Sequence, residues 1–340
     1  SGNLDAGVLI QDRETETDTT SHGTTDNWVA GNYIGTNLAG SAAIPNKWGV
    51  AIAFGTVGNH IGGVVAGSRN VISGNVDAGV QIEGVGASAN LVEGNHIGLN
   101  AAGTAALANY DGVTLIQGAS GNSVGGTTAA AGNIISGNTH TGIFLQGQGT
   151  SGNFIQGNHI GTNGSGASAL PNGSHGLLLT SSAENNQLGP GNKIMYNGGN
   201  GIAIDGNLTV GNTITQNSIH SNAGAELQFL NPNTPTPIQS TPQIAYLSAT
   251  QTISATLCAN CTIEVFGNSS NEPAGEQFIT ECVTDANGIL GCQNPAFASW
   301  PYLAITVTDA GAGTTSGFYP VGGGVEEGCT HCVYLPFVIK

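Results

Sequence analysis

The residues best placed to do chemistry are acidic and occur in two settings. Asp12-Arg-Glu-Thr-Glu-Thr-Asp18 alternates, so an extended segment puts the carboxylates of Asp12, Glu14, Glu16 and Asp18 on one face. Hard cations take oxygen clusters of this kind, and Ca²⁺ is the cation the set would suit; a solvated acidic loop is the plainer reading. Asp77 and Asp111 precede, by two residues and by one, a glycine that opens a short apolar stretch, and Asp5 fills the same slot as Asp77. Carboxylates carried onto neighbouring turns of a coiled chain would have the spacing that glycosidases use, although Asp is also a natural corner residue. His60, His96 and His159 recur in one Asn-His-Ile-Gly context, and repetition at one corner argues for a structural or surface role.

Six cysteines, Cys258, Cys261, Cys282, Cys292, Cys329 and Cys332, supply the remaining chemistry, and all lie in the last third of the chain. An even number in one region fits an oxidising, extracellular compartment. A three-residue hairpin loop at Ala286-Asn287-Gly288 would set Cys282 opposite Cys292, and the two Cys-x-x-Cys pairs would clamp turns. A four-thiolate zinc site from those two pairs is the alternative.

The elements that must carry these residues are set by an internal repeat. Asn27-Trp-Val-Ala-Gly-Asn-Tyr-Ile-Gly-Thr-Asn37 recurs as Asn90-Leu-Val-Glu-Gly-Asn-His-Ile-Gly-Leu-Asn100 and as Asn153-Phe-Ile-Gln-Gly-Asn-His-Ile-Gly-Thr-Asn163, with a degenerate copy from Asn212. Strand-like stretches opening at Gly49, Gly79, Gly112, Gly142, Gly176 and Gly201 divide each 63-residue period into two coils. Each coil holds about three short apolar stretches separated by Gly and Asn, residues that supply the positive φ a tight corner needs. Strands this short, with every second residue apolar, wind around a core as an all-β parallel β-helix of about seven coils. One asparagine per coil (Asn27, Asn59, Asn90, Asn122, Asn153, Asn186, Asn212) would then stack as a hydrogen-bonded ladder.

These Asn-x-Val/Ile-x-Gly-Asn-x-Ile-Gly-Thr-Asn blocks, with Ile72-Ser-Gly-Asn75 and Ile135-Ser-Gly-Asn138, resemble the right-handed β-helix repeats of pectin-lyase-like exported bacterial proteins. The resemblance covers about residues 1–231. It implies a fold more than an activity, since that group includes lyases, hydrolases, adhesins and structural proteins. Its lyases use Ca²⁺ with an Arg or Lys base, and its hydrolases use clustered Asp with nearby His and a basic residue. Here Arg13, Lys47, Arg69 and Lys193 are scattered, and Ser21-His22-Gly23 and Ser174-His175-Gly176 have no paired-Asp motif beside them.

A Pro-rich stretch follows at 232–241 and reads as a stiff linker. Residues 242–324 hold about seven strand candidates separated by turn signals, which resembles the small immunoglobulin-like β-sandwiches that follow β-helices in secreted proteins. The last segment, 325–340, reads as an extended tail strand with Val333, Leu335, Phe337 and Ile339 on one face. It closes its own sandwich or adds to a neighbouring subunit.

Composition narrows the function. The 340 residues carry 5 Lys and Arg against 21 Asp and Glu, a formal charge of −16. This excludes a nucleic-acid binder running on phosphate neutralisation and would repel a polyanionic substrate. The apolar run from Val333 to Ile339 is far shorter than the ~20 residues of a membrane-spanning helix. Ser1-Gly-Asn-Leu-Asp-Ala-Gly-Val8 matches Ser73-Gly-Asn-Val-Asp-Ala-Gly-Val80, so the chain starts within a coil and a neighbouring copy is expected to cover the open end. The expectation is a non-catalytic, secreted structural protein, a subunit of a head-to-tail extracellular filament or surface layer, requiring no cofactor unless Ca²⁺ binds the acidic stretch. The alternatives are a polysaccharide-active lyase or hydrolase, and a glycan-binding adhesin using the repeated loops Gly35–Asn46, Gly98–Asn109 and Gly161–Asn172.

Overall fold

A computed structural model describes residues 1–12, 23–230, 244–309, 311 and 314–321. The chain is all-β. Its first part forms three long parallel sheets of eight, seven and seven strands, and each sheet takes every third strand in sequence. The first sheet starts with Val8–Gln11, Val50–Ala53 and Val80–Glu83, the second with Trp28–Val29 and His60–Gly62, the third with Tyr33–Ile34 and Val71–Ile72. The chain thus visits three sheets, climbs one strand spacing of ~4.8 Å, and repeats, an arrangement consistent with a parallel β-helix.

Register follows from side-chain identity. In the first sheet Val50, Val80, Val113, Ile143, Leu177 and Ile202 lie in one column, and all are fully buried. In the third, Ile72, Ile97, Ile135, Ile160 and Ile194 form another. A one-residue slip would turn each column out to water at about 1.5–3 kcal/mol per side chain, so pairing is strongly specified. The glycine before each first-sheet strand is required by closeness: a Cβ on Gly79 would sit 2.8 Å from the Gly112 carbonyl oxygen and 2.8 Å from Ile97 Cγ2.

Each of the three corners carries an asparagine ladder. In the first, running from Asn27 to Asn212, every Nδ2 donates to the Oδ1 one coil on, as from Asn90 to Asn122 at 2.9 Å and from Asn122 to Asn153 at 3.1 Å. The sequence spacing points to this corner alone. The structure adds a second ladder, Asn32-Asn70-Asn95-Asn133-Asn158-Asn192-Asn217. A third runs Asn3-Asn46-Asn75-Asn109-Asn138-Asn172-Asn197-Asn222 and ends on Glu226, whose carboxylate accepts from Asn222 at 2.6 Å. All three point the same way along the stack.

Beyond residue 243 the described strands form antiparallel sheets of three and five, consistent with a β-sandwich. Ile253, Ile263, Val265, Leu290, Phe297, Ile305 and Val307 are buried together. Among the described residues two disulfides are present, Cys258–Cys261 and Cys282–Cys292. The hairpin expected between Cys282 and Cys292 is absent. Strand Gln277–Val283 pairs with Thr262–Asn268, whereas Ile289–Gln293 pairs with Thr252–Thr256, so the bridge joins two sheets. Closure of Cys258 onto Cys261 removes that pair from a four-thiolate zinc site. Cys329, Cys332, the linker 232–241 and the tail residues Val333, Leu335, Phe337 and Ile339 lie outside the described residues.

The antiparallel part covers the far end of the parallel stack. Ile219 and Gly275 exchange both backbone hydrogen bonds, at 2.8 and 2.9 Å. Ile214 N–H donates to Thr315 Oγ1 at 3.0 Å, and that hydroxyl donates back to Ile214 O at 3.1 Å. Glu264, buried at 2% exposure, accepts from Gln216 N–H at 2.9 Å and from the Thr215 hydroxyl. Burial pushes its carboxyl pKa up, partly offset by those two donors. The last strands of the second and third sheets therefore have edge groups met by the following part of the chain, as a solenoid end requires.

Candidate functional site

The residues singled out in the sequence disperse. Asp12 is buried and accepts from Thr24 N–H at 2.8 Å, while Glu14, Glu16 and Asp18 lie outside the described residues. Among the described residues no group of three or more His, Cys, Asp or Glu is placed to hold a metal ion.

The three histidines of the shared tetrapeptide do not share a corner. His60 lies in the second sheet and stacks flat on Trp28, ring centroids 4.1 Å apart. His96 and His159 lie in the third sheet, in one column with Ile134. Both sit beneath repeated loops that close by antiparallel bridges, Leu99 to Ala106 and Thr162 to Ala169. Gly103, at φ +68°, crosses so close over His96 that a Cβ would meet its Cε1 at 3.0 Å. Nδ1 of each ring is buried without a partner. Burial lowers both pKa values, that of His96 to about 4, with a smaller push from Arg69 on His96 and from Lys193 on His159. These rings are packing seats for the loops.

The chemistry that does converge lies at the corner leading into the first sheet. Two columns run there, formed by the residues two and one before the strand-opening glycine. In the outer column each N–H donates to the carbonyl one coil below, linking Asp5, Lys47, Asp77, Tyr110, His140 and Ser174. The inner column includes Asp111, Thr141, His175 and Asn200. Asp5 and Asp77 thus share a column with Lys47 between them, and Asp111 stands beside it. Lys47 Nζ sits 3.9 Å over the Trp48 ring.

His140 Nδ1 lies 2.8 Å from Asp111 Oδ1, which also accepts from Thr141 N–H at 2.9 Å. The imidazole stacks on Tyr110, centroids 4.8 Å apart and planes 15° from parallel. Asp111 is buried, and its pKa is pushed up by desolvation, restrained by Thr141 N–H and by His140, with Asp77 adding a small upward push. One coil on, His175 Nδ1 accepts from Asn200 N–H at 3.0 Å. Burial, and then the charge of His140, lower its pKa.

His140 turns Nδ1 to the Asp111 carboxylate, and a neutral His175, accepting at Nδ1, carries its proton on Nε2. No described protein group bonds to either Nε2, and neither atom is among the buried unpartnered ones. Asp77 and Asp111 were legible in the sequence, but Tyr110 and His140 were not. Aligning the residues before each strand-opening glycine, coil by coil, would have found them.

Among the described residues no helix is long and apolar enough to cross a membrane. No protein-family model and no curated protein matches the chain.

Proposed function

We propose that the chain is a secreted, non-catalytic structural rod: a right-handed parallel β-helix of the pectin-lyase-like exported type, closed at one end by an immunoglobulin-like β-sandwich, and a subunit of a head-to-tail extracellular filament or surface layer. The observation that carries this reading is the common polarity of the three asparagine ladders. At the first coil Asn3, Asn27 and Asn32 accept no side-chain hydrogen bond from the described residues, whereas the last coil is covered by the antiparallel part. Such a stack is directional, and contacts between unlike ends of directional subunits propagate as open filaments. Leu9, Trp28 and Tyr33 are exposed on the first strands, and a groove of about 370 Å³ lies between Val8–Gln11 and Trp28–Val29. Because the antiparallel part occupies the far end, the joining surface of a neighbour is its sandwich or its tail, and direct stacking of coil on coil is blocked.

The experiment is electron microscopy of the native protein beside a variant lacking Val333–Lys340. Filaments with an axial repeat near one subunit length, lost on truncation, support the reading with the tail as donor strand. Dispersed monomers at high concentration overturn it.

A further inference from the structure

We infer that the tail segment 333–339 seats along the strand Ile244–Leu247 of its own chain, as the fourth strand of the smaller antiparallel sheet. The antiparallel part is closed along one side and open along the other. On the closed side the Cys282–Cys292 bridge ties strand Gln277–Val283 of one sheet to Ile289–Gln293 of the other. On the open side Ile244–Leu247 has one described strand partner, Thr252–Thr256, and its other edge is bare of any described strand. The inward side chains show the gap. Ile244 and Tyr246 are the cross-strand partners of Ala255 and Ile253 and pack on the same core. Ile253 is fully buried, whereas Ile244 and Tyr246 stay half-buried, as does Tyr319 on the facing sheet. A groove of about 300 Å³ opens here, with Ile244, Ala245, Ala255, Ile289 and Leu290 in its walls.

The chain supplies the occupant. Tyr319–Val321, the last described strand, lies against Ile244–Leu247, so the rest of the chain sets out from the open side. Residues 322–332 can span on the order of 40 Å, ample for the ~10 Å between packed sheets and a turn back. Val333, Leu335, Phe337 and Ile339 supply an apolar face for the gap, and no charged residue lies among 333–339. With those four side chains inward, one strand direction turns their N–H and C=O groups toward Ile244–Leu247. Pro336, which has no N–H, then falls on the outer edge and blunts it against further pairing. The tether holds the tail at an effective concentration of about millimolar, so in dilute solution it outcompetes a neighbour's. The seat is thus a property of the single chain and stands without the filament reading. Copies that exchange tails on assembling fill the same seat.

The test is amide hydrogen exchange read by mass spectrometry on the full chain, diluted until light scattering shows monomers. Segments 333–339 and 244–247 are expected to be protected together, and deleting residues 333–340 should speed exchange in 244–247 about hundredfold. Phe337→Asp puts a charge on the inward face and should do the same, whereas Tyr334→Asp, on the outer face, should leave both segments protected. Adding a synthetic peptide of residues 333–340 to the truncated chain should restore protection at 244–247. Strand Ile143–Gln146 of the parallel stack is the internal reference, with the same exchange in every variant. The inference is overturned by a 333–339 segment that exchanges like a free peptide in the monomer. It is equally overturned by a 244–247 segment indifferent to truncation, or by Tyr334→Asp acting as strongly as Phe337→Asp. Filaments are scored separately by microscopy at high concentration, so failure of the seat and failure of the filament reading are told apart.

Discussion

The backbone N–H of Gln216, in the last coil of the parallel stack, donates at 2.9 Å to the buried carboxylate of Glu264 in the antiparallel part. One acidic side chain thereby ties the two halves of the chain, supported by the Ile219–Gly275 backbone pair and by the Thr315 hydroxyl on the Ile214 backbone.

Glu264→Ala leaves Gln216 N–H without its buried acceptor and is expected to destabilise the junction by about 1–3 kcal/mol, read as a lower thermal midpoint and faster proteolysis between residues 230 and 244. Burial raises the carboxyl pKa above the value of the unfolded chain. The folded protein therefore binds this proton more tightly, and the group's unfavourable contribution at neutral pH fades as pH falls through the raised value toward 4.5. Comparing wild type with Glu264→Gln between pH 7 and 4 isolates it. A wild type that loses ground to the Gln variant on acidification would refute the assignment.

His96 runs the other way. Its folded pKa of about 4 lies below the model-compound value of 6.5, so the unfolded chain takes the proton first and stability is lost as pH falls from about 6.5 toward 4. The gap is worth up to about 3 kcal/mol. Denaturant midpoints measured across that range should slope less steeply in His96→Phe than in wild type.

Asn122→Ala removes the acceptor for Asn90 and the donor to Asn153 and to Ala87 O in the middle of a buried ladder. A loss of roughly 2–4 kcal/mol is expected from the groups left unpaired. Asn122→Asp should do worse, because it sets a carboxylate oxygen against those two acceptors. Chemical denaturation of both variants checks the order.

Replacing Cys282 and Cys292 together by Ser should cost about 2–3 kcal/mol, confined to the antiparallel part. Calorimetry should show its transition moving down while that of the parallel stack stays in place.

The short periodic pattern made the parallel stack legible, because side chains alternate in and out and the corner residues recur in register. Val80, Val113 and Ile143 announce the buried column, and Asn90, Asn122 and Asn153 announce a ladder, since a coil of nearly constant length turns sequence spacing into stacking. Two things escaped that reading. Asn-His-Ile-Gly occurs at residues 59–62 and 95–98 with the same local signal, yet the first places its histidine in the second sheet and the other in the third. Every corner uses the same Gly-Asn chemistry, so the sheet a tetrapeptide joins depends on how many corners precede it. Cys282 and Cys292 read as hairpin partners because they flank a turn, whereas their strands prefer different neighbours and the bridge spans two sheets. The Asp111–His140 pair also belongs to the tertiary structure. Its members are 29 residues apart, and only the length of the intervening coil sets one carboxylate against one imidazole at 2.8 Å.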